Sequence, residues 1–385
     1  MATQASGAPI LCVVGARPNL MKIAPIIRAM KGLPQPMPVK LLHTGQHYDQ
    51  QMNSQYFQSL GIQDPDINLE VGSASHAVQT AEIMRRFEPV LDQEKPAAVL
   101  VVGDVNSTLA CALVAVKKGI PVIHVEAGLR SFDRTMPEEI NRVLTDQISD
   151  LMFTTEKSAR ENLLREGISS ANIHFVGNVM IDTLRYSLDR AVPAAKTLSQ
   201  YGEAANWLQV GYAVLTLHRA SNVDDPVTLR ALLNTIIEVS QRLPVVFPVH
   251  PRTRARIEQG GMGALLKTPK IVALPPLDYL EMLGLMRSAK VVLTDSGGLQ
   301  EETTALGVPC ITLRDNTERP ITVEEGTNTL IGLDHARILA VVDEVLRNGG
   351  KAGRIPDLWD GQASKRIAVV LQDWLKTLKL RTDGA

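Results

Sequence analysis

At 385 residues, 45% of them hydrophobic, the chain is long enough for two cores of about 150–200 residues each. Forty basic residues against 41 acidic ones leave a formal charge of −1 with no long block of one sign, which argues against a nucleic-acid or polybasic membrane surface. Cys12, Cys111 and Cys310 sit in apolar runs without CxxC spacing. With no leader-like N-terminus and no apolar stretch of about 18 residues, the expectation is a cytoplasmic chain without zinc site, disulfide framework or membrane span.

Short β-branched runs alternate with segments of helical period, which selects a parallel α/β architecture. The first strands are predicted at Ile10–Val14, Val39–Leu42, Ala98–Val102, Pro121–Val125, Leu151–Phe153 and Ile173–Val176. Helices between them include Leu20–Met30, whose Leu20, Ile23, Ala24, Ile27 and Met30 share one face, and Ser107–Lys118. Gly177 closes the run and a polar, proline-containing stretch follows, so a first domain of residues 1–177 is expected. The pattern restarts with Ala213–Leu217, Val245–Val249, Ile271–Leu274, Val291–Thr294 and Cys310–Leu313, predicting a second Rossmann-like unit over 178–364. A last amphipathic helix near Ile367–Leu378 lies in 365–385. In open parallel sheets ligands bind beyond the carboxyl ends of strands, so the residues after each strand carry the functional information.

Asp295-Ser296-Gly297-Gly298 follows an apolar strand and opens the helical segment Leu299–Leu306, where backbone N–H groups and the helix dipole suit a phosphate. The same residues also serve an ordinary strand-to-helix turn with an Asp or Ser cap. Glu302, one turn later, suits a ribose diol. Gly15-Ala16-Arg17-Pro18 is the corresponding junction of the first unit, with Lys22 one turn in; it is not GxGxxG, so a dinucleotide fingerprint is absent, and the two cations suit a pyrophosphate. Asp104 and Glu126 follow strands of the same sheet and should face the same side. Glu138 and Glu139 follow Pro137, which also reads as a plain first helical turn. His218-Arg219 and His250 end strands of the second half. His43 and His47 lie four apart but lack a third ligand, so no metal site is expected.

Together these segments resemble the non-hydrolysing UDP-N-acetylglucosamine 2-epimerase family. The matching blocks are GARPNLMKIAP (15–25), TGQH (44–47), VGDVNSTLA (102–110), HVEAGLRS (124–131), PEEINR (137–142), LHR (217–219), PVH (248–250), TDSGGLQEE (294–302) and RDNTERP (314–320). Their joint order and spacing, more than any one block, carry the likeness. The resemblance implies two Rossmann-like domains facing across a cleft, as in glycogen phosphorylase, with the C-terminal helix returning to the first domain. It implies UDP binding by Arg17, Lys22, His218, Ser296, Gly297, Gly298, Glu302 and Arg319, catalytic roles for Asp104, Glu126, Glu138 and His218, and support from Arg142.

The activity implied is reversible C2 epimerisation of UDP-N-acetylglucosamine and UDP-N-acetylmannosamine through elimination of UDP to a 2-acetamidoglucal and re-addition. It needs no cofactor and no metal, and the family expectation is a homodimer with a UDP-sugar as its partner molecule. Inversion calls for proton exchange on both faces, and carboxylates crowded together should repel one another, raising at least one proton affinity. A modified UDP-2-acetamido sugar, a hydrolysing epimerase and a retaining glycosyltransferase of the same architecture remain alternatives. Many bacterial members bind a second UDP-N-acetylglucosamine as activator, near positions that correspond here to Gln46, His47, Arg219 and His250. This chain adds Asp49 and reads His218-Arg219-Ala220-Ser221 where the family commonly has HRRE, so little activation is expected.

Overall fold

The computed structural model describes residues 7–45 and 60–382. The chain divides into two compact units, one formed by residues up to Thr183 together with those from Asp357 onward, the other by Leu184–Pro356. Each is built on its own parallel sheet.

The first unit has strands β1 (Ile10–Val14), β2 (Val39–His43), β3 (Ile67–Asn68), β4 (Ala98–Val102), β5 (Val122–Val125), β6 (Leu151–Thr154) and β7 (Ile173–Phe175). They form one sheet in the order β3-β2-β1-β4-β5-β6-β7. β1 and β4 are buried along their whole length, which is why they read as unbroken apolar runs rather than alternating ones. The helix Arg17–Lys31 turns Leu20, Ile23, Ala24, Ile27 and Met30 inward, as its period predicts. The C-terminal helix Ala363–Thr382 packs on it. That helix is anchored where Asp182 accepts from the Ala363 and Ser364 backbone N–H groups at 3.2 and 2.8 Å, and where buried Trp359 Nε1 donates to the Thr155 carbonyl at 3.1 Å.

The second unit carries β8 (Ala213–Thr216), β9 (Val245–Pro248), β10 (Ile271–Leu274), β11 (Val291–Thr294), β12 (Cys310–Thr312) and β13 (Asn328–Leu330), ordered β10-β9-β8-β11-β12-β13. Its core gathers Leu215, Leu229, Leu233, Ile236, Phe247, Leu293 and Val342. Both sheets reverse their strand order once, between β1 and β4 and between β8 and β11. At such a switch point the loops leave in opposite directions and open a crevice beyond the strand ends. Gly15–Lys22 and Gly103–Asp104 border one switch point; His218–Arg219 and Asp295–Gly298 border the other. β3 and β13 went unpredicted, since two and three residues at a sheet edge make no hydrophobic run.

Candidate active site

At the β1/β4 switch point, Asn19 closes the turn after β1. Its Oδ1 accepts from the Gly15 and Ala16 N–H groups at 3.3 and 2.9 Å, while Nδ2 donates to the Val102 carbonyl at 3.0 Å. Arg17 opens the following helix, and its side chain lies outside the described set. Lys22, one turn later, is buried with Nζ 2.5 Å from Glu126 Oε2. Glu126 is itself buried and adopts φ 69°, a left-handed conformation that costs a non-glycine residue about 1–2 kcal/mol. The strain is held by two hydrogen bonds: the Glu126 and Ala127 N–H groups both donate to the Phe153 carbonyl, at 3.0 and 3.1 Å.

Asp104 is three-quarters covered, with Oδ2 3.0 Å from Arg142 Nε. Arg142 is buried and pairs with Glu139 as well. Glu138 begins the helix Pro137–Gln147 and is half-buried, whereas its neighbour Glu139 is buried and accepts from the Ser131 and Phe132 N–H groups at 2.9 Å each. The crowding expected of the carboxylates is thus relieved by cations, Lys22 against Glu126 and Arg142 against Asp104 and Glu139.

At the β8/β11 switch point, buried Asp295 gathers the loop. It accepts from the His218 and Arg219 N–H groups, each at 3.0 Å, and lies 2.8 Å from His218 Nδ1. Burial pushes its proton affinity up, but His218 and the Arg219 N–H outweigh burial and hold the carboxyl below its usual range. The helix Gly297–Leu306 starts without a side-chain cap bond from Ser296, which leaves its first-turn N–H groups without that acceptor. A Cβ on Gly297 would lie 2.7 Å from Glu318 Oε1 and 2.9 Å from Arg319 Nη1, which is why this position takes glycine.

Arg319 does not present a bare charge. Its guanidinium lies 2.6 Å from Glu318 and 2.8 Å from Glu301. Burial raises Glu318, yet Arg319 and Arg314 override it and keep the carboxyl ionised far below the ordinary value. Glu302 behaves oppositely: full burial, reinforced by Glu301 and opposed by the Tyr279 hydroxyl, pushes it up to about 7. Its Oε1 has no hydrogen-bond partner among the described residues.

The residues assigned to an activator are dispersed in role. Gln46 and His47 lie outside the described residues. His250 caps the helix Pro251–Gln259 by accepting from the Arg252 N–H at 3.2 Å, and its ring centroid is 5.7 Å from that of His218. Arg219 Nη2 lies 3.7 Å from Glu318. Among the described residues no cluster of His, Cys, Asp or Glu is arranged to hold a metal ion, and no helix is long and apolar enough to cross a membrane.

Comparison with known proteins supplies the lineage. The family model described as UDP-N-acetylglucosamine 2-epimerase matches residues 33–372. The chain belongs to the UDP-N-acetylglucosamine 2-epimerase family. A relative of that name from Methanococcus maripaludis is 43% identical over 339 residues, covering 87% of this chain and 91% of the relative. A UDP-2,3-diacetamido-2,3-dideoxy-D-glucuronate 2-epimerase of Pseudomonas aeruginosa is 41% identical over 369 residues, covering 94% and 99%. The crystal structure of Methanocaldococcus jannaschii UDP-GlcNAc 2-epimerase in complex with UDP-GlcNAc and UDP superimposes with a TM-score of 0.83 at 41% identity, covering 94% and 99% of the two chains.

Within this epimerase fold, three polar residues that the sequence reading gave no role, His124, Arg130 and Asp146, join Glu139, read there as a plain helical turn, in organising the first unit's site. A signal existed for one of them. Glu138, Arg142 and Asp146 recur every four residues and so share one face of the helix Pro137–Gln147. His124 offered another, as a polar residue inside the apolar strand β5 that must find partners once buried.

Proposed function

We propose that this epimerase interconverts UDP-N-acetylglucosamine and UDP-N-acetylmannosamine by eliminating UDP and adding it back. The observation that supports it best is the pair of carboxylates at one strand-end crevice, Glu126 against Lys22 and Asp104 against Arg142. The C2–H bond of such a sugar has no adjacent carbonyl to acidify it. Leaving UDP therefore has to carry away the electrons of the anomeric C–O bond while the C2 proton passes to a carboxylate, giving a 2-acetamidoglucal. Return of a proton to the opposite face and attack of the UDP oxygen at C1 complete the inversion. Asp104 and Glu126 do the acid/base work, one for each face. Glu138 stands by the sugar and stabilises the cationic anomeric carbon.

For the pyrophosphate charge that develops, the resemblance assigns Arg17 and Lys22 in the first unit, and His218 and the N–H groups of the Ser296-Gly297-Gly298 turn in the second. Glu302, with an unpartnered buried oxygen, accepts the ribose diol. Arg319, held by Glu301 and Glu318, adds its guanidinium to the UDP site. The likeness to the Pseudomonas enzyme makes a 3-acetamido, C6-oxidised UDP-sugar the second reading. We place the protein in the cytoplasm as a homodimer, which exposed Val78, Ile140 and Leu144 support, on the helices His76–Glu94 and Pro137–Gln147.

Proton NMR in D2O tests the reading. UDP-N-acetylglucosamine alone with the enzyme should give both epimers deuterated at C2. Exchange confined to the diacetamido uronate substrate would move the assignment to the second reading, and accumulation of free N-acetylmannosamine to a hydrolysing epimerase.

A further inference from the structure

β4 and β5 run side by side, with Val101 opposite His124 and Val102 opposite Val125. The His124 side chain is wholly buried between them and the helix Pro137–Gln147. Its Nδ1 lies 2.6 Å from Asp146 Oδ1 and its Nε2 lies 2.9 Å from the Gly103 carbonyl oxygen. A carbonyl can only accept. Asp146 also accepts on its other oxygen, from the Gly128 N–H at 3.0 Å and from Arg130 Nη2 at 2.7 Å. A neutral imidazole has one N–H, whereas two accepting partners require two.

We propose that His124 is a positioning residue that donates from both ring nitrogens, clamping together the three segments that bear the reactive carboxylates. One ring nitrogen fixes Gly103, whose own N–H donates to the Val125 carbonyl at 3.0 Å, so both sides of the residue before Asp104 are tied to β5. Glu126 follows two residues after His124 on the same strand. The other nitrogen grips Asp146, which lies one and two helical turns beyond Arg142 and Glu138. Through its second oxygen Asp146 also pins Gly128 in the turn behind Glu126.

The charges facing the ring balance. Asp146 answers His124, and Arg130, from the turn after β5, is answered by Asp146 and by Glu166, whose two oxygens lie 2.8 and 2.6 Å from Arg130 Nε and Nη2. Moving the shared proton onto Asp146 would leave Arg130 against a neutral acid and turn Nδ1 into an acceptor. Burial opposes ionisation of Asp146, but His124 and Arg130 together prevail. Loss of either partner would strand a buried charge.

Only the kinetic arm of the test rests on the epimerase reading. In 15N-histidine-labelled full-length protein at the pH of the activity assay, the His124 signals, assigned by their loss in His124→Gln, should show a proton on both ring nitrogens. One pyridine-like nitrogen there overturns the proposal, whatever the enzyme's activity. Folded His124→Gln and Asp146→Asn, checked by circular dichroism, should lose kcat on the order of 100-fold, the cost of displacing a reacting group by about 1 Å, with KM within about three-fold. Unchanged kcat, or a loss carried in KM alone, also overturns it. Native enzyme that shows both ring protons but does not epimerise UDP-N-acetylglucosamine would instead refute the functional reading.

Discussion

Glu302→Gln makes the most quantitative demand on the structure. The carboxyl has an ordinary value of 4.5 and is pushed up to about 7 in the folded chain, chiefly by burial. The folded state thus holds this proton more tightly than the unfolded state. Its contribution to stability is fully present below 4.5, is lost as pH rises from there to about 7, and stays lost above. At about 1.4 kcal/mol per pH unit, the ionised side chain costs the fold roughly 3 kcal/mol, most of which appears between pH 5 and pH 8. Glutamine fills the same space and cannot ionise. Urea unfolding of both proteins at pH 5, 6.5 and 8 should therefore show the variant gaining on the native protein by about 2–3 kcal/mol as pH rises, the other titrations cancelling in the difference. A difference independent of pH, or one that moves against the variant at pH 8, would refute the reasoning.

Asp104→Asn and Glu126→Gln should each lower turnover by at least ~100-fold while UDP affinity, read by calorimetry, stays within a few-fold; near-normal turnover in both would remove them from the chemistry. For regulation, progress curves started from pure UDP-N-acetylmannosamine should run without a lag, because Ala220 and Ser221 supply neither a guanidinium nor a carboxylate to a second nucleotide-sugar. A lag abolished by trace UDP-N-acetylglucosamine would show that an activator site survives these substitutions.

The sequence by itself determined the two parallel sheets and the places where ligands meet them. Runs such as Ile10–Val14 and Ala98–Val102 are apolar on both faces because helices cover both, and a residue that follows such a run, as Asp104, Glu126, His218 and Asp295 do, has to emerge at the strand ends. Local spacing read Glu138 and Glu139 after Pro137 as a first helical turn, and only the family likeness gave Glu138 and Arg142 a role. Only the tertiary structure decided which charges neutralise which. Lys22 meets Glu126 and Asp104 meets Arg142 because β4 crosses over to lie beside β1, and β5 beside β4, bringing distant segments to one edge. Arg319, which the chain pattern leaves without a partner residue, is bound by Glu301 and Glu318 in the fold, while His124, a single polar residue in an apolar strand, becomes a two-handed donor once Gly103 and Asp146 flank it. A chain pattern encodes burial and periodicity, which are local, whereas the partner of a buried charge is set by strand order and register, which emerge only when the sheet is assembled.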